Sequence, residues 1–179
     1  MLAWGMARSC GECTVCCTAL AIETLELRKQ PGVTCAHCTV RGCGIYESRF
    51  PICRSYFCGW FGLPELDESW RPDRSGILIS PRHDGIPPQY EAGEGIEFLL
   101  LTGEAALAHP PFIPLLRALL ESRTPAFLAL PGPVGHYPAR VFLNDVLAPA
   151  AGDPAALVLV LSRMIRSAAG HRFEPAPPP

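Results

Sequence analysis

Apolar and polar positions alternate clearly only in the later part of the chain. Residues 76–80 (GILIS) predict a short strand stopped by Pro81, and residues 96–101 (IEFLLL) predict another, closed by Thr102-Gly103. Between 112 and 123 the apolar positions fall at 112, 113, 115, 116, 119 and 120, a helical stripe with Pro114 tolerated in its first turn. Ala126–Leu130 and 139–143 predict strands separated by the turn-rich Pro131-Gly132-Pro133-Val134-Gly135. Asp153-Pro154 then opens a helix in cap-then-proline order, running to about Ala169 and stopping at Gly170. Ahead of all this, residues 18–29 are apolar at Leu20, Ile22, Leu25 and Leu27, which fits a strand and a helix equally, and Gln30-Pro31-Gly32 ends the run in a turn. No internal repeat is present.

The expected fold class is α+β: an N-terminal cysteine-rich metal module packed on a small sheet flanked by helices. Pro64 and Trp70-Arg71-Pro72-Asp73 mark the passage between the parts. The expected boundaries are a cysteine-cluster module over 1–62, an α+β body over 63–173 and a disordered proline-rich tail over 174–179.

Composition narrows the class. With 179 residues and 49% hydrophobic content, the chain can bury a core without cysteines for bulk stability. The net charge of −2 hides an asymmetry: residues 1–60 carry six basic and four acidic side chains, the rest nine and thirteen. Arginines near thiols lower thiol pKa values and offset the charge of a metal–thiolate centre. The excess is too small for a nucleic-acid footprint, and the whole chain holds one lysine and no basic–aromatic stripe. Residues 1–8 lack the apolar run of a signal peptide, and nothing approaches the roughly 18 apolar residues of a membrane span. The expected location is therefore cytoplasmic, with no membrane partner, in a compartment where cysteine clusters stay reduced.

The cysteines carry the chemistry. All nine fall within residues 10–58: Cys10, Cys13, Cys16, Cys17, Cys35, Cys38, Cys43, Cys53 and Cys58. An odd count and an adjacent Cys16-Cys17 pair argue against a disulfide framework. On a helix or tight turn Cys10, Cys13 and Cys17 would share one face while Cys16 points about 100° away, so one segment can serve two metals, or one metal plus a bridging position. Cys10, Cys13, Cys16, Cys17, Cys35, Cys43, Cys53 and Cys58 supply eight thiolates, enough for two tetrahedral zinc ions or for one iron–sulfur cluster with thiols to spare. A competing four-cysteine zinc knuckle from Cys13, Cys16, Cys35 and Cys38 leaves Cys43, Cys53 and Cys58 unexplained. The spacing lacks the ferredoxin form, and zinc accepts all-thiolate tetrahedra readily, so zinc is expected ahead of iron.

Other side chains add little. His37 lies between two cysteines but is read as a polar loop residue, and His83, His109, His136 and His171 have no ligand spacing. Arg54 is expected to steady the thiolates electrostatically, and Trp60-Phe61 to pack beside them. Gly93-Glu94-Gly95 precedes a strand rather than following one and fails as a nucleotide loop. No catalytic nucleophile motif appears.

The segments CGECTVCC (10–17) and GCGIYESRFPICRSYFC (42–58) resemble the CxxCxxCC cysteine-cluster family of zinc- or iron-chelating domains. Cys43, Ile45, Tyr46, Arg49, Pro51, Cys53, Arg54 and Cys58 follow that family's order and spacing. The resemblance covers about residues 10–60 and implies a bacterial-type metal-chelating protein acting through the eight cysteines named above, with a metal ion and a protein as partners. A similar module occurs in flagellin lysine methylases, which implies a second reading: an iron–sulfur enzyme or accessory subunit for protein modification. A zinc-dependent nucleic-acid binder is the third, disfavoured by the charge. Phe50 and Cys38 depart from the family pattern.

Overall fold

A computed structural model of the chain describes residues 8–90 and 93–178. The expectation about a leader in the first residues, and Pro179 of the tail, lie outside that range. The cysteine-rich segment is built from short pieces: helix α1 (Val15–Ala19), a ribbon of β1 (Ile22–Glu23) and β2 (Arg28–Lys29), a second ribbon of β3 (Cys38–Thr39) and β4 (Gly42–Cys43), then helices α2 (Pro51–Ser55) and α3 (Gly59–Gly62). After α4 (Pro72–Ser75) come strands β5 (Ile77–Arg82) and β6 (Gly95–Leu100), helix α5 (Phe112–Glu121), strands β7 (Ala126–Leu130) and β8 (Ala139–Phe142), and helices α6 (Asn144–Leu147) and α7 (Pro154–Ser167). The fold is α+β. No helix among the described residues is long and apolar enough to cross a membrane.

One four-stranded mixed sheet runs in the order β5-β6-β7-β8. Its outer pairs are antiparallel, while β6 and β7 are parallel and joined through α5. Parallel neighbours need such a crossover because a tight turn can only reverse direction. Alternate residues then face opposite sides. Ile77, Ile79, Ile96, Phe98, Leu100, Ala126 and Leu128 meet Phe112, Ile113, Leu116 and Leu119 of α5 and Leu157 and Leu161 of α7. Each buried Ile, Leu or Phe among them stabilises the fold by about 2 kcal/mol. Leu78, Leu99 and Ala129 face the other way, onto Val15, Ala19 and Leu20 of the cysteine-rich segment. Both faces of β6 are thus covered, which is why its whole length is buried.

Four expectations change. Pro81 does not stop β5; it pairs opposite Ile96 inside the strand, tolerated because β5 is an edge strand with no further neighbour to receive an N–H. Residues 18–29 form neither one strand nor one helix, but the end of α1 and the β1–β2 ribbon, turned by Thr24, whose N–H and hydroxyl both donate to the Leu27 carbonyl (3.0 and 3.1 Å). Helix α5 stops at Glu121, since Arg123 takes a left-handed φ of 55°. The tail is not loose: Tyr137 donates its N–H to the Glu174 carbonyl, Ala176 to that of Gly135, and Gln30 Nε2 donates to the carbonyls of Ala176 and Pro177. The α7 cap matches its sequence, with Asp153 accepting from Ala155 N–H at 2.8 Å; the α-helix ends at Ser167 and a 3-10 turn completes it.

Candidate metal centre

Short elements carry the cysteines to one place. Cys10 and Cys13 sit in a turn closed by a Cys13 N–H to Cys10 carbonyl bond of 3.0 Å, and Cys16 and Cys17 follow on α1. Cys35 is tied to them directly, its N–H donating to the Cys17 carbonyl at 2.9 Å. Cys38 and Cys43 face each other across the β3–β4 ribbon. Cys53 rides on α2 and Cys58 precedes α3. The ribbon reaches the Cys10–Cys13 turn only because residue 42 is glycine: its φ is +109°, and a Cβ there would meet the Gly11 carbonyl oxygen at 2.5 Å.

Between this segment and the sheet lies a cavity of about 350 Å³. Cys10, Cys13, Cys16, Cys17, Cys35, Cys43, Cys53 and Cys58 all line it, and Cys38 does not. All nine cysteines are free and half-buried. Among the described residues, no three His, Cys, Asp or Glu side chains close around one point as a finished metal cage would.

Electrostatics show which thiols influence one another. Burial pushes the Cys58 thiol up to about 11, and the adjacent Cys10 and Cys13 add to the rise. Burial also raises Cys10, opposed by the Tyr46 hydroxyl and by Arg49, with Cys17 adding to the rise. Cys13 is raised by burial, with the N–H groups of Val15 and Asp73 pulling the other way. Tyr56, raised by burial and bonded to Ser80 Oγ at 2.8 Å, feels Cys58 and Cys16 together. Cys17 is raised by the adjacent Cys16 thiol and then by burial, with Cys38 acting in the opposite direction. Cys53 is raised by burial, then by Cys17, Cys35 and Cys43.

The surroundings suit anionic sulfur. Arg49, lying 3.8 Å from the Tyr46 ring centroid and donating to its carbonyl at 2.8 Å, takes the electrostatic role expected of Arg54, which is exposed and outside the lining. Lys29 is the chain's lone lysine and is only 5% exposed. Burial lowers its pKa, and Cys35, Cys17, Cys16 and Cys38 oppose that. Trp60 lines the cavity, and its buried indole N–H meets no acceptor among the described residues, which leaves a donor available to sulfur. A soft, thiolate-binding divalent ion fits this donor set. His37 also lines the cavity, tilted against Phe50 at 5.7 Å between ring centroids.

Sequence reasoning missed Lys29, Asp73 and the sheet wall of the cavity. There Glu97, 8% exposed, accepts from Arg82 (2.9 Å) and Arg140 (2.7 Å) through one oxygen. A charged residue within an apolar strand run was the available signal for Glu97, since buried charge requires a partner.

No family model matches the chain, and no match was found among curated proteins or solved structures.

Proposed function

We propose that this chain is a metal-binding protein that holds zinc through Cys10, Cys13, Cys16, Cys17, Cys35, Cys43, Cys53 and Cys58. The observation that carries the reading is that one cavity is lined by all eight and leaves out the ninth. Nothing in their spacing alone requires Cys53 and Cys58 to meet Cys10 and Cys35. Eight thiolates match two four-thiolate sites in number. Bound zinc would supply charge to hold eight deprotonated sulfurs together, offsetting the burial that favours the protonated thiols of Cys10, Cys13, Cys17, Cys53 and Cys58. The resemblance of residues 10–60 to the CxxCxxCC family points the same way.

The cavity volume favours a second reading. A bare ion about 2.3 Å from each sulfur needs no water-sized space, whereas about 350 Å³ also suits an iron–sulfur cluster that brings its own sulfide. Elemental analysis with a visible spectrum, on anaerobically purified protein, separates the two. About two zinc per chain without colour is expected. Iron with acid-labile sulfide and a brown absorbance would replace zinc by the cluster, and a folded, metal-free chain would overturn both.

A further inference from the structure

We infer that the sheet wall of the cavity binds a small uncharged organic molecule, an apolar body carrying a carboxamide head that Glu97 and Arg140 read. The inference goes beyond the zinc reading and uses space that closed zinc–thiolate sites leave empty. The cavity of about 350 Å³ falls in the range of small-molecule sites, which are mostly apolar with a few placed polar groups. Besides the thiols, its walls include Leu20, Ile22, Leu27, Phe57, Leu78 and Leu99.

Strand register puts the polar pair on that wall. Leu78, Leu99, Ala129 and Arg140 form one row across the four strands, and Ser80, Glu97 and Phe127 stand in the next. Glu97 is 8% exposed, and its Oε2 accepts from both Arg82 Nη1 (2.9 Å) and Arg140 Nε (2.7 Å). Arg82 turns its other Nη to Asp84 at 3.0 Å. Among the described residues no donor reaches Glu97 Oε1, and neither Nη of Arg140 has an acceptor. Both residues line the cavity, which is thus offered an acceptor and a donor side by side. A carboxylate ligand would gain the guanidinium but oppose Oε1, and an ammonium ligand would gain the carboxylate but oppose Arg140. A carboxamide suits both: its carbonyl accepts from Arg140 while its amide N–H donates to Oε1. It also brings no further charge into a largely apolar space.

Titration of the full chain as purified with benzamide, benzoate and benzylammonium, followed by backbone amide shifts in nitrogen-15 correlation spectra, tests this. Benzamide should bind about 10-fold more tightly than either charged probe, the worth of one hydrogen bond to a charged group. Its largest shifts should fall at Leu78, Leu99 and Arg140. Arg140 is 36% exposed on the edge strand β8, so its replacement does not empty the core. Arg140→Met keeps the apolar stem and leaves Glu97 paired with Arg82; it should weaken benzamide about 10-fold and strengthen benzylammonium. Benzoate as the tightest probe, equal affinity for all three, or no shift from any at millimolar concentration would each overturn the inference. Unchanged benzamide affinity in a folded Arg140→Met would overturn it too. If that variant does not fold, the order of the three probes on the wild-type chain decides. Zinc content of the same sample tests the metal reading separately: a zinc-free chain that prefers benzamide would sink that reading and leave this one standing.

Discussion

Cys58 shows how a single side chain reports both burial and neighbours. It sits just before α3, accepts the Phe61 N–H, and is pushed from the ordinary 9.0 up to about 11 by burial, with Cys10 and Cys13 contributing. The folded, metal-free protein therefore holds this proton more tightly than the unfolded chain does. Below about pH 9 both states keep it and the contribution to stability is complete. Between about pH 9 and about pH 11 only the unfolded chain releases it, so stability falls as pH rises. Urea denaturation of metal-free protein across that range should show the decline, and Cys58→Ser should flatten part of it. An identical slope in the variant would contradict the assigned environment. Lys29 belongs to the same scale, but nothing in the sequence marked it. It lies in the run 18–29, whose pattern fitted strand and helix equally, and only the ribbon geometry brings its Nζ to the carbonyls of Thr18, Gln30 and Val33.

At the scale of elements, legibility followed length. Residues 126–130 and the α7 segment have enough positions to display a period, and both were readable with their caps and turns. The β1–β2 and β3–β4 ribbons are two residues per strand, too short for any period, and backbone turns and glycine hold them instead. Chain spacing also could not sort the cysteines, because Cys58 and Cys10 become neighbours only through packing on the sheet. Gly42 is where the second ribbon's placement can be probed. Gly42→Ala must abandon a φ of +109° or force Cβ against the Gly11 carbonyl. It is expected to cost about 1–3 kcal/mol, read as a lower urea midpoint, and to reduce bound zinc. An unchanged midpoint and full zinc content would show that the close approach is dispensable.

Across the whole molecule, one sheet serves two purposes. Its helix-facing side buries the core against α5 and α7, so the body does not depend on metal for its apolar packing. Its opposite side is apolar at Leu78, Leu99 and Ala129 and charged at Glu97, and it walls the cavity that the cysteine-rich segment completes. The α+β class was legible from periodicity, and the eight cysteines that the ordered pattern grouped are those that line the cavity. The cavity was not, since it arises from surfaces far apart in the chain. The ninth cysteine separates the accounts most sharply: Cys38 lies opposite Cys43 and against Cys17, yet outside the cavity lining. Metal content per chain, measured by elemental analysis across nine single Cys→Ser variants, is the most direct test. Metal should fall in the variants of Cys10, Cys13, Cys16, Cys17, Cys35, Cys43, Cys53 and Cys58 and stay at the wild-type level in Cys38→Ser. A loss in Cys38→Ser as large as in Cys43→Ser, or metal content indifferent to all nine, would contradict the account.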